Sequence, residues 1–157
     1  METEQAFART AEPALLADIE AFETRIGKTL PEDYKAHLLR FNGGFPKRDT
    51  FVQNEEQFTV NKFFSIGSGN MTLNDARRLT AGELHNDFVF FASDGGGDLF
   101  VLSVGAEDYG SVYYIAHESY KPPKRKEMGQ PRQYGKGVYF LAPSFTEFYE
   151  GLVELEE

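Results

Sequence analysis

The sequence contains no cysteine among its 157 residues. This absence excludes disulfides, iron–sulfur clusters, thiol nucleophiles and zinc sites built from cysteine. Long apolar runs are also missing, since none approaches the roughly 20 residues needed to span a bilayer. The first twelve residues, METEQAFARTAE, lack the basic start and the apolar core of a secretory signal peptide. Together these absences predict a soluble, cytoplasmic protein.

Positive charge is scarce and unevenly distributed. The chain has 16 Lys or Arg against 25 Asp or Glu, a net charge of −9. Residues 121–136 hold six of the basic residues and one acid, a net of +5, so the remainder carries −14. An acidic body repels nucleic acid and anionic membranes and attracts basic partners. We therefore expect neither a nucleic acid nor a membrane as partner.

Helical periodicity marks both ends of the chain. Apolar residues recur at helical spacing over 13–27 and over 30–44, which predicts two amphipathic helices. A short polar helix is expected over 72–82. The last segment, 143–157, is expected to form a helix throughout, with Ser144 and Glu147 at capping-box spacing and an apolar face made by Phe145, Phe148, Leu152 and Leu155.

Strand patterns fill the middle of the chain. Residues 57–67 alternate in a way that predicts one strand facing water on one side. The runs FVFFAS and LFVLSV are continuously apolar, as in central strands covered on both faces. Residues 110–118 and 137–142 predict two further strands. Helices, then strands, then a helix describe a single α+β domain over 1–157, with a largely antiparallel sheet on which the N-terminal helix pair and the C-terminal helix pack.

The segment Asp94-Gly95-Gly96-Gly97-Asp98 joins two of these strands. A phosphate-binding loop would need a following Lys-Ser/Thr and a helix, and a dinucleotide fingerprint needs the same helix. A calcium loop would need more acids at alternate positions. The segment therefore predicts a hairpin turn, with glycines at positive φ and aspartates accepting from turn amides. Because three glycines leave backbone amides uncovered, the turn is also a candidate contact point.

Catalytic patterns are absent from the sequence. No two of the three histidines have metal-binding spacing, and only a metal site assembled across the fold is left open. His37 follows Asp33 by four residues, so an intrahelical pair explains it. No G-x-S-x-G elbow is present. We expect no catalytic residue, no cofactor and no metal.

The tyrosines and the basic segment cluster in the second half of the chain. Tyr113 and Tyr114 must lie on opposite faces of one strand, so at least one can face a second layer or a partner. Residues 119–136, with three prolines and the basic run, predict a long, solvated and mobile loop that can also contact a partner. Tyr134 is the one residue in the basic run suited to stacking.

The N-terminal segment IEAFETRIGKTLPEDYKAHLLRFNGGFP resembles the opening of the SUKH superfamily. The resemblance continues through Gly97-Asp98, LFVLSV, YGSVYYIAHE and LAPSFTEFYEGL, and covers about residues 15–153. This superfamily includes the Smi–Knr fungal cell-wall regulators and many bacterial immunity proteins. The loop at 119–136 departs from the pattern, being longer than in a minimal member.

The resemblance implies an α+β fold with a mixed, mostly antiparallel sheet and no enzymatic activity. It also implies an immunity protein that binds and neutralises a cognate toxin, often a nuclease or deaminase, by occlusion. The alternative is a cytoplasmic scaffold or regulatory module with a different partner. Since nuclease toxins must be basic to hold phosphates, an acidic inhibitor is complementary to them. The expected partner-binding residues are Asp94, Asp98, Glu107, Asp108 and Tyr109, with Asn42 and Pro46 as a second group.

Overall fold

The computed structural model describes residues 4–155, and within them the chain forms helices at both ends and a sheet in the middle. The helices are α1 (Leu16–Ile26), α2 (Glu32–Arg40), α3 (Leu73–Leu79) and α4 (Phe145–Glu150). The strands are β1 (Phe7–Ala8), β2 (Phe45–Pro46), β3 (Thr50–Gln53), β4 (Glu56–Thr59), β5 (Lys62–Phe63), β6 (Phe88–Ser93), β7 (Leu99–Ser103), β8 (Val112–Ile115) and β9 (Val138–Ala142).

The main sheet has five strands in the order β5-β6-β7-β8-β9, and every neighbouring pair is antiparallel. Strands β1 and β2 form a separate antiparallel pair, as do β3 and β4. Parallel pairing within residues 4–155 is confined to an isolated bridge between Ser65 and Thr72. The α+β prediction is confirmed, and the sheet is a meander that follows the order of the chain from β5 to β9.

Both faces of the sheet are covered, as the apolar runs predict. The first face packs against the helices around side chains such as Ile19, Phe91, Phe100 and Phe148, all buried. The second face forms a smaller cluster that includes Val101, Tyr113, Ile115 and Tyr134. Tyr113 lies in this second cluster, whereas Tyr114 contacts Phe58 and Phe100 on the helix side. The prediction that the two tyrosines lie on opposite faces is confirmed.

The helix predictions hold at the N-terminus. Helix α1 buries Ile19 and Phe22 and ends at Gly27, whose φ of +71° is the left-handed conformation that favours glycine. Helix α2 begins after Pro31, as expected for a residue with fixed φ and no amide hydrogen.

The single strand predicted over 57–67 is wrong. Strand β4 ends at Thr59, and the chain then leaves its partner β3 to enter the main sheet as β5. The amide of Val60 donates to the carbonyl of Asp49, whereas that of Asn61 donates to Ser93. The sheet changes between these two residues, although the apolar alternation continues through them.

The C-terminal helix is shorter than predicted. Helix α4 stops at Glu150, and Val153 then pairs with Thr50 in an antiparallel bridge. Leu155 is 43% exposed and contributes to no apolar helix face. Residues 156–157 of the predicted helix lie outside the described residues. The bridge to Thr50 gives the backbone an alternative partner at the point where the helix ends.

Removing the cap of α4 is expected to lower stability measurably. The Ser144 hydroxyl accepts from the Glu147 amide at 3.1 Å. Ser144→Ala should reduce the free energy of unfolding by about 1 kcal/mol, because an amide of the first turn loses its acceptor. Urea denaturation measures the change. Ser144→Asn, which keeps an acceptor at this position, should lie close to the parent protein, and an equal loss in both variants would contradict the capping role.

The basic loop 119–136 is solvated, as predicted, and two of its tyrosines attach it to the rest of the fold. Its six Lys and Arg side chains are exposed. Tyr134, however, is buried against Phe88 and Tyr113, and the Tyr120 hydroxyl donates to the Glu83 carbonyl. Lys121 and Lys136 form a bridge that closes the base of the loop. The loop therefore packs against the second face of the sheet through Tyr134 and Tyr120.

His37 does not pair with Asp33, contrary to the sequence interpretation. The Asp33 carboxylate instead accepts from the amide and hydroxyl of Thr146, at 2.8 Å each, and so joins α2 to α4. The His37 ring is buried among six aromatic rings, which are those of Phe7, Tyr34, Phe41, Phe63, Phe145 and Tyr149. Its Nε2 atom has no hydrogen-bond partner among the described residues.

Candidate partner-binding surfaces

The glycine segment is a hairpin turn between β6 and β7, as predicted. The Asp94 carboxylate accepts from the amides of Gly96 at 2.7 Å and Asp98 at 2.8 Å, and so holds the turn from within. Gly95 and Gly97 have φ of +87° and +109°, a backbone conformation that would be strained in a residue with a side chain. All three glycines are exposed at the end of the sheet. Their backbone is thus accessible, while the Asp94 oxygen faces the turn.

Asp98 joins the glycine turn to the end of β8. Its carboxylate accepts from the Tyr114 hydroxyl, from the His117 amide at 2.9 Å and from the His117 ring nitrogen Nδ1. Partial burial acts to raise the pKa of Asp98, but these hydrogen bonds outweigh it and hold the pKa below its usual range. The hydrogen bond to Asp98 in turn raises the pKa of His117. Asp98 therefore acts first as a structural acceptor.

Asp108 is likewise a structural hydrogen-bond acceptor, at the other end of the sheet. Its carboxylate accepts from the hydroxyls of Ser103 at 2.7 Å and of Tyr113 and Tyr134 at 2.5 Å each. Burial acts to raise the pKa of Asp108, and the three hydroxyls together lower it below the usual range. Burial and the bond to Asp108 both raise the pKa of Tyr113 and of Tyr134. The acid holds the basic loop, through Tyr134, against β7 and β8.

Glu107 and Tyr109 flank Asp108 and are exposed. Tyr109 is 46% exposed, and its hydroxyl donates to the Thr29 carbonyl at 2.7 Å, in the connection between α1 and α2. The ring is therefore held in position while much of it faces solvent. Partial burial raises the pKa of Tyr109; Lys35 lowers it, and the surrounding carboxylates of Glu23, Glu32 and Asp33 raise it.

The predicted residues divide into two places because the sheet is a meander. Asp94 and Asp98 come before β7, and Glu107, Asp108 and Tyr109 come after it. Five residues of strand, at about 3.4 Å each, place the two turns roughly 17 Å apart. The two groups therefore lie at opposite ends of the sheet and form two separate surfaces.

Asn42 and Pro46, the second group, face inward. The Asn42 amide group donates to the carbonyls of Glu12 at 2.6 Å and Ile66 at 2.9 Å, and its oxygen accepts from the Ile66 amide at 2.8 Å. Asn42 is 4% exposed. Pro46 is buried in β2, opposite Phe7. Both positions tie the helix-to-strand connection to neighbouring segments.

His117 and Asn61 lie beside the glycine turn, and sequence reasoning missed both as neighbours of it. A Cβ on Gly97 would lie 3.1 Å from the His117 ring, and one on Gly95 would lie 3.2 Å from the Asn61 side chain. The His117 side chain is 47% exposed. The register of the β7–β8 hairpin predicts the position of His117. Because Leu99 pairs with Ile115, residue 117 lies opposite residue 97.

Within residues 4–155, no group of three or more His, Asp or Glu side chains has the arrangement of a metal site. No helix in this part of the chain is long and apolar enough to cross a membrane. What the two surfaces offer is hydrogen-bonding backbone at the glycine turn, and a positioned tyrosine with carboxylates at the opposite end.

The sequence profile of the SMI1/KNR4 family (SUKH-1) matches residues 13–151, most of the chain. The chain belongs to the SMI1/KNR4 family. The resemblance noted from the sequence is thereby confirmed. No curated protein matches the sequence. Proteins of this SUKH family are generally non-enzymatic immunity proteins, and membership is consistent with that role.

Proposed function

We propose that this SMI1/KNR4-family protein binds a cognate toxin of basic charge, a nuclease or deaminase domain, in the cytoplasm and neutralises it by covering its active surface. The family match over residues 13–151 carries the proposal. The net charge of −9 supports it, because nucleic-acid enzymes need a basic surface to hold phosphates. Complementary charge accelerates association and selects the partner.

Of the two surfaces, the one around Tyr109 fits a basic partner better. We define the Tyr109 surface as Tyr109, Glu107 and Glu32, since the nearby Asp33 carboxylate is bonded to Thr146. Glu107 is exposed, and the Glu32 side chain is 90% exposed, although it lies 3.1 Å from the Lys35 ammonium. Tyrosine is common among the few residues that dominate interface energies, because it buries a large area while losing few rotamers. A fixed, half-exposed tyrosine among carboxylates is suited to anchor a basic protein.

The glycine-turn surface fits a basic partner less well. The carboxylates of Asp94 and Asp98 already accept hydrogen bonds from the turn amides, from Tyr114 and from His117. Reversing the charge of Asp98, or that of Asp108 at the other end of the sheet, would disturb the fold because each accepts hydrogen bonds within the chain. A loss of binding in such variants would not identify an interface.

Glu107→Lys with Glu32→Lys is expected to weaken binding to the toxin about tenfold, because two exposed carboxylates next to the anchor become repulsive. The partner is the protein encoded next to this chain's gene, co-expressed with it. Survival of the cells and a purified 1:1 complex establish the interaction, and surface plasmon resonance measures the rate constants.

Glu20→Lys with Glu56→Lys is the matched control, since it changes the net charge equally at two exposed positions elsewhere. Both double variants should slow association, whereas only the first should speed dissociation, because long-range charge acts on the encounter. Equal dissociation rates would place the interface away from Tyr109. A neighbouring protein that is not toxic, or that forms no complex, would favour a scaffold with another partner.

A further inference from the structure

A cavity opens beside β6 because its neighbour β5 is too short to cover it. Strand β5 pairs only with Ala92 and Ser93, at the end of β6. Helix α3 packs along the remaining part of β6 instead. Between α3, the end of α1 and the residues leading into β6, a cavity of about 470 Å³ remains. Small-molecule sites commonly have volumes of roughly 300–1,000 Å³.

One side of this cavity is apolar and belongs to the core, and the polar residues Thr80, His85 and Asn86 line it elsewhere. Phe22, Leu73, Phe88 and Val89 line it and are otherwise buried, whereas Ile26 and Phe90 are half-buried and face it. These side chains come from α1, α3 and β6, so three rigid elements fix the shape of the cavity. An apolar body placed there would contact carbon on several sides, as ligands in most small-molecule sites do.

The Lys and Arg side chains of the cavity, those of Lys28, Arg77 and Arg78, lie at its rim, and no carboxylate lines the cavity. Two of these cations have partners outside the wall: Lys28 lies 3.8 Å from Asp87, and Arg78 pairs with Asp75. Arg77 takes part in no ion pair found within residues 4–155. The rim therefore keeps an excess of one positive charge, on Arg77, in a chain whose net charge is −9.

We propose that this cavity binds a small amphipathic carboxylate, with an apolar body against the core wall and the carboxylate at the rim beside Arg77 and Lys28. A guanidinium offers paired donors whose geometry matches a carboxylate, and a charge-assisted hydrogen bond is stronger than a neutral one. An alkyl chain or a ring fills the apolar part. The site is distinct from the Tyr109 surface and does not depend on the proposed partner.

Decanoate and decyltrimethylammonium, each below its critical micelle concentration, and decanol, below its solubility limit, test the proposal on the full chain. The three probes share an apolar chain and differ in the charge of the head group. We expect decanoate to bind saturably at 1:1 in calorimetry, decanol about tenfold more weakly, and the cation not measurably. Amide shifts in NMR spectra of the unaltered protein should concentrate in α3 and at the start of β6.

Two sets of variants separate the contribution of the rim cations to binding from that of the apolar wall. Arg77→Gln with Lys28→Gln should lower the affinity for decanoate about tenfold and leave that for decanol unchanged. Ala81→Trp, at an exposed position of the wall, should block both probes. Lys124→Gln with Lys126→Gln removes two exposed cations elsewhere and should change neither.

Absence of saturable decanoate binding, equal binding of the cation, or amide shifts centred outside the cavity would overturn the proposal. The NMR map is made on the unaltered protein, so it decides the location even where a variant fails to fold. Because no toxin is present in these measurements, their failure leaves the proposed partner binding intact.

Discussion

Asp108→Ala is expected to lower the free energy of unfolding by about 3 kcal/mol, because one substitution removes the acceptor of three hydroxyls. Ser103, Tyr113 and Tyr134 are all at most 7% exposed, so water cannot easily replace the lost carboxylate. The loss should also loosen the basic loop 119–136, which Tyr134 attaches to the sheet. Urea denaturation gives the stability change, and hydrogen exchange at Lys121 and Lys136, whose amides close the base of the loop, reports its opening.

Glu107→Ala is the matched control for this prediction. It removes a carboxylate from the adjacent residue, but from an exposed side chain, so stability should change by less than about 0.5 kcal/mol. A loss below about 1 kcal/mol in Asp108→Ala, with unchanged exchange in the loop, would mean that the three hydroxyls find other partners.

The helices and the central hairpins could be predicted because their signals are local. Gly27 and Pro31 bracket the connection between α1 and α2, where the apolar periodicity breaks, and each residue acts through its own backbone geometry. The glycine turn was predictable for the same reason, since Asp94 satisfies turn amides two and four residues away. No long-range contact is needed for any of these features.

The failures involve long-range partners. Alternation continues through Val60 and Asn61, yet the amide of Val60 bonds to Asp49 and that of Asn61 to Ser93. The end of α4 depends in the same way on Thr50, far away in sequence. A periodic pattern shows which side chains are buried, but not which of two sheets buries them.

The division of the candidate site into two surfaces could have been deduced from the sequence. Successive hairpin turns in a meander alternate between the two ends of a sheet, so the turns before and after β7 cannot be adjacent. The inward orientation of Asp98, Asp108 and Asn42 could not have been deduced, because acids and amides in turns are usually solvated. Their partners are tyrosine hydroxyls and backbone groups that only the folded chain brings within reach.

These inward acids change where partner binding should be sought. A carboxylate that accepts three hydrogen bonds has little capacity left for a lysine of another protein, and reversing its charge tests the fold. Glu107 and Glu32 carry exposed charge next to a fixed tyrosine, and changing them disturbs only one contact, the exposed ion pair of Glu32 with Lys35. The acids best suited to testing the interface are those whose carboxylates make the fewest hydrogen bonds and ion pairs within the chain.

His37→Phe is expected to make the protein progressively more stable than the parent as the pH falls from 7 to 5. Burial among six aromatic rings, with a smaller contribution from Arg40, lowers the pKa of His37 to about 3 in the folded state. In the unfolded chain the pKa is about 6.5, so below that pH the unfolded state binds a proton that the folded state excludes. Parent stability should therefore fall by about 1.4 kcal/mol per pH unit, or about 2 kcal/mol by pH 5.

Paired urea titrations at several pH values measure this difference, and His117→Gln provides a control of opposite sign. The hydrogen bond that the His117 ring donates to Asp98 raises the pKa of His117, so its contribution to stability is fully present below about pH 6.5 and is lost as the pH rises through the folded-state pKa. His117→Gln should thus lose most stability at acid pH, whereas His37→Phe gains there. Parallel pH profiles for His37→Phe and the parent would mean that the folded core accepts the proton without penalty.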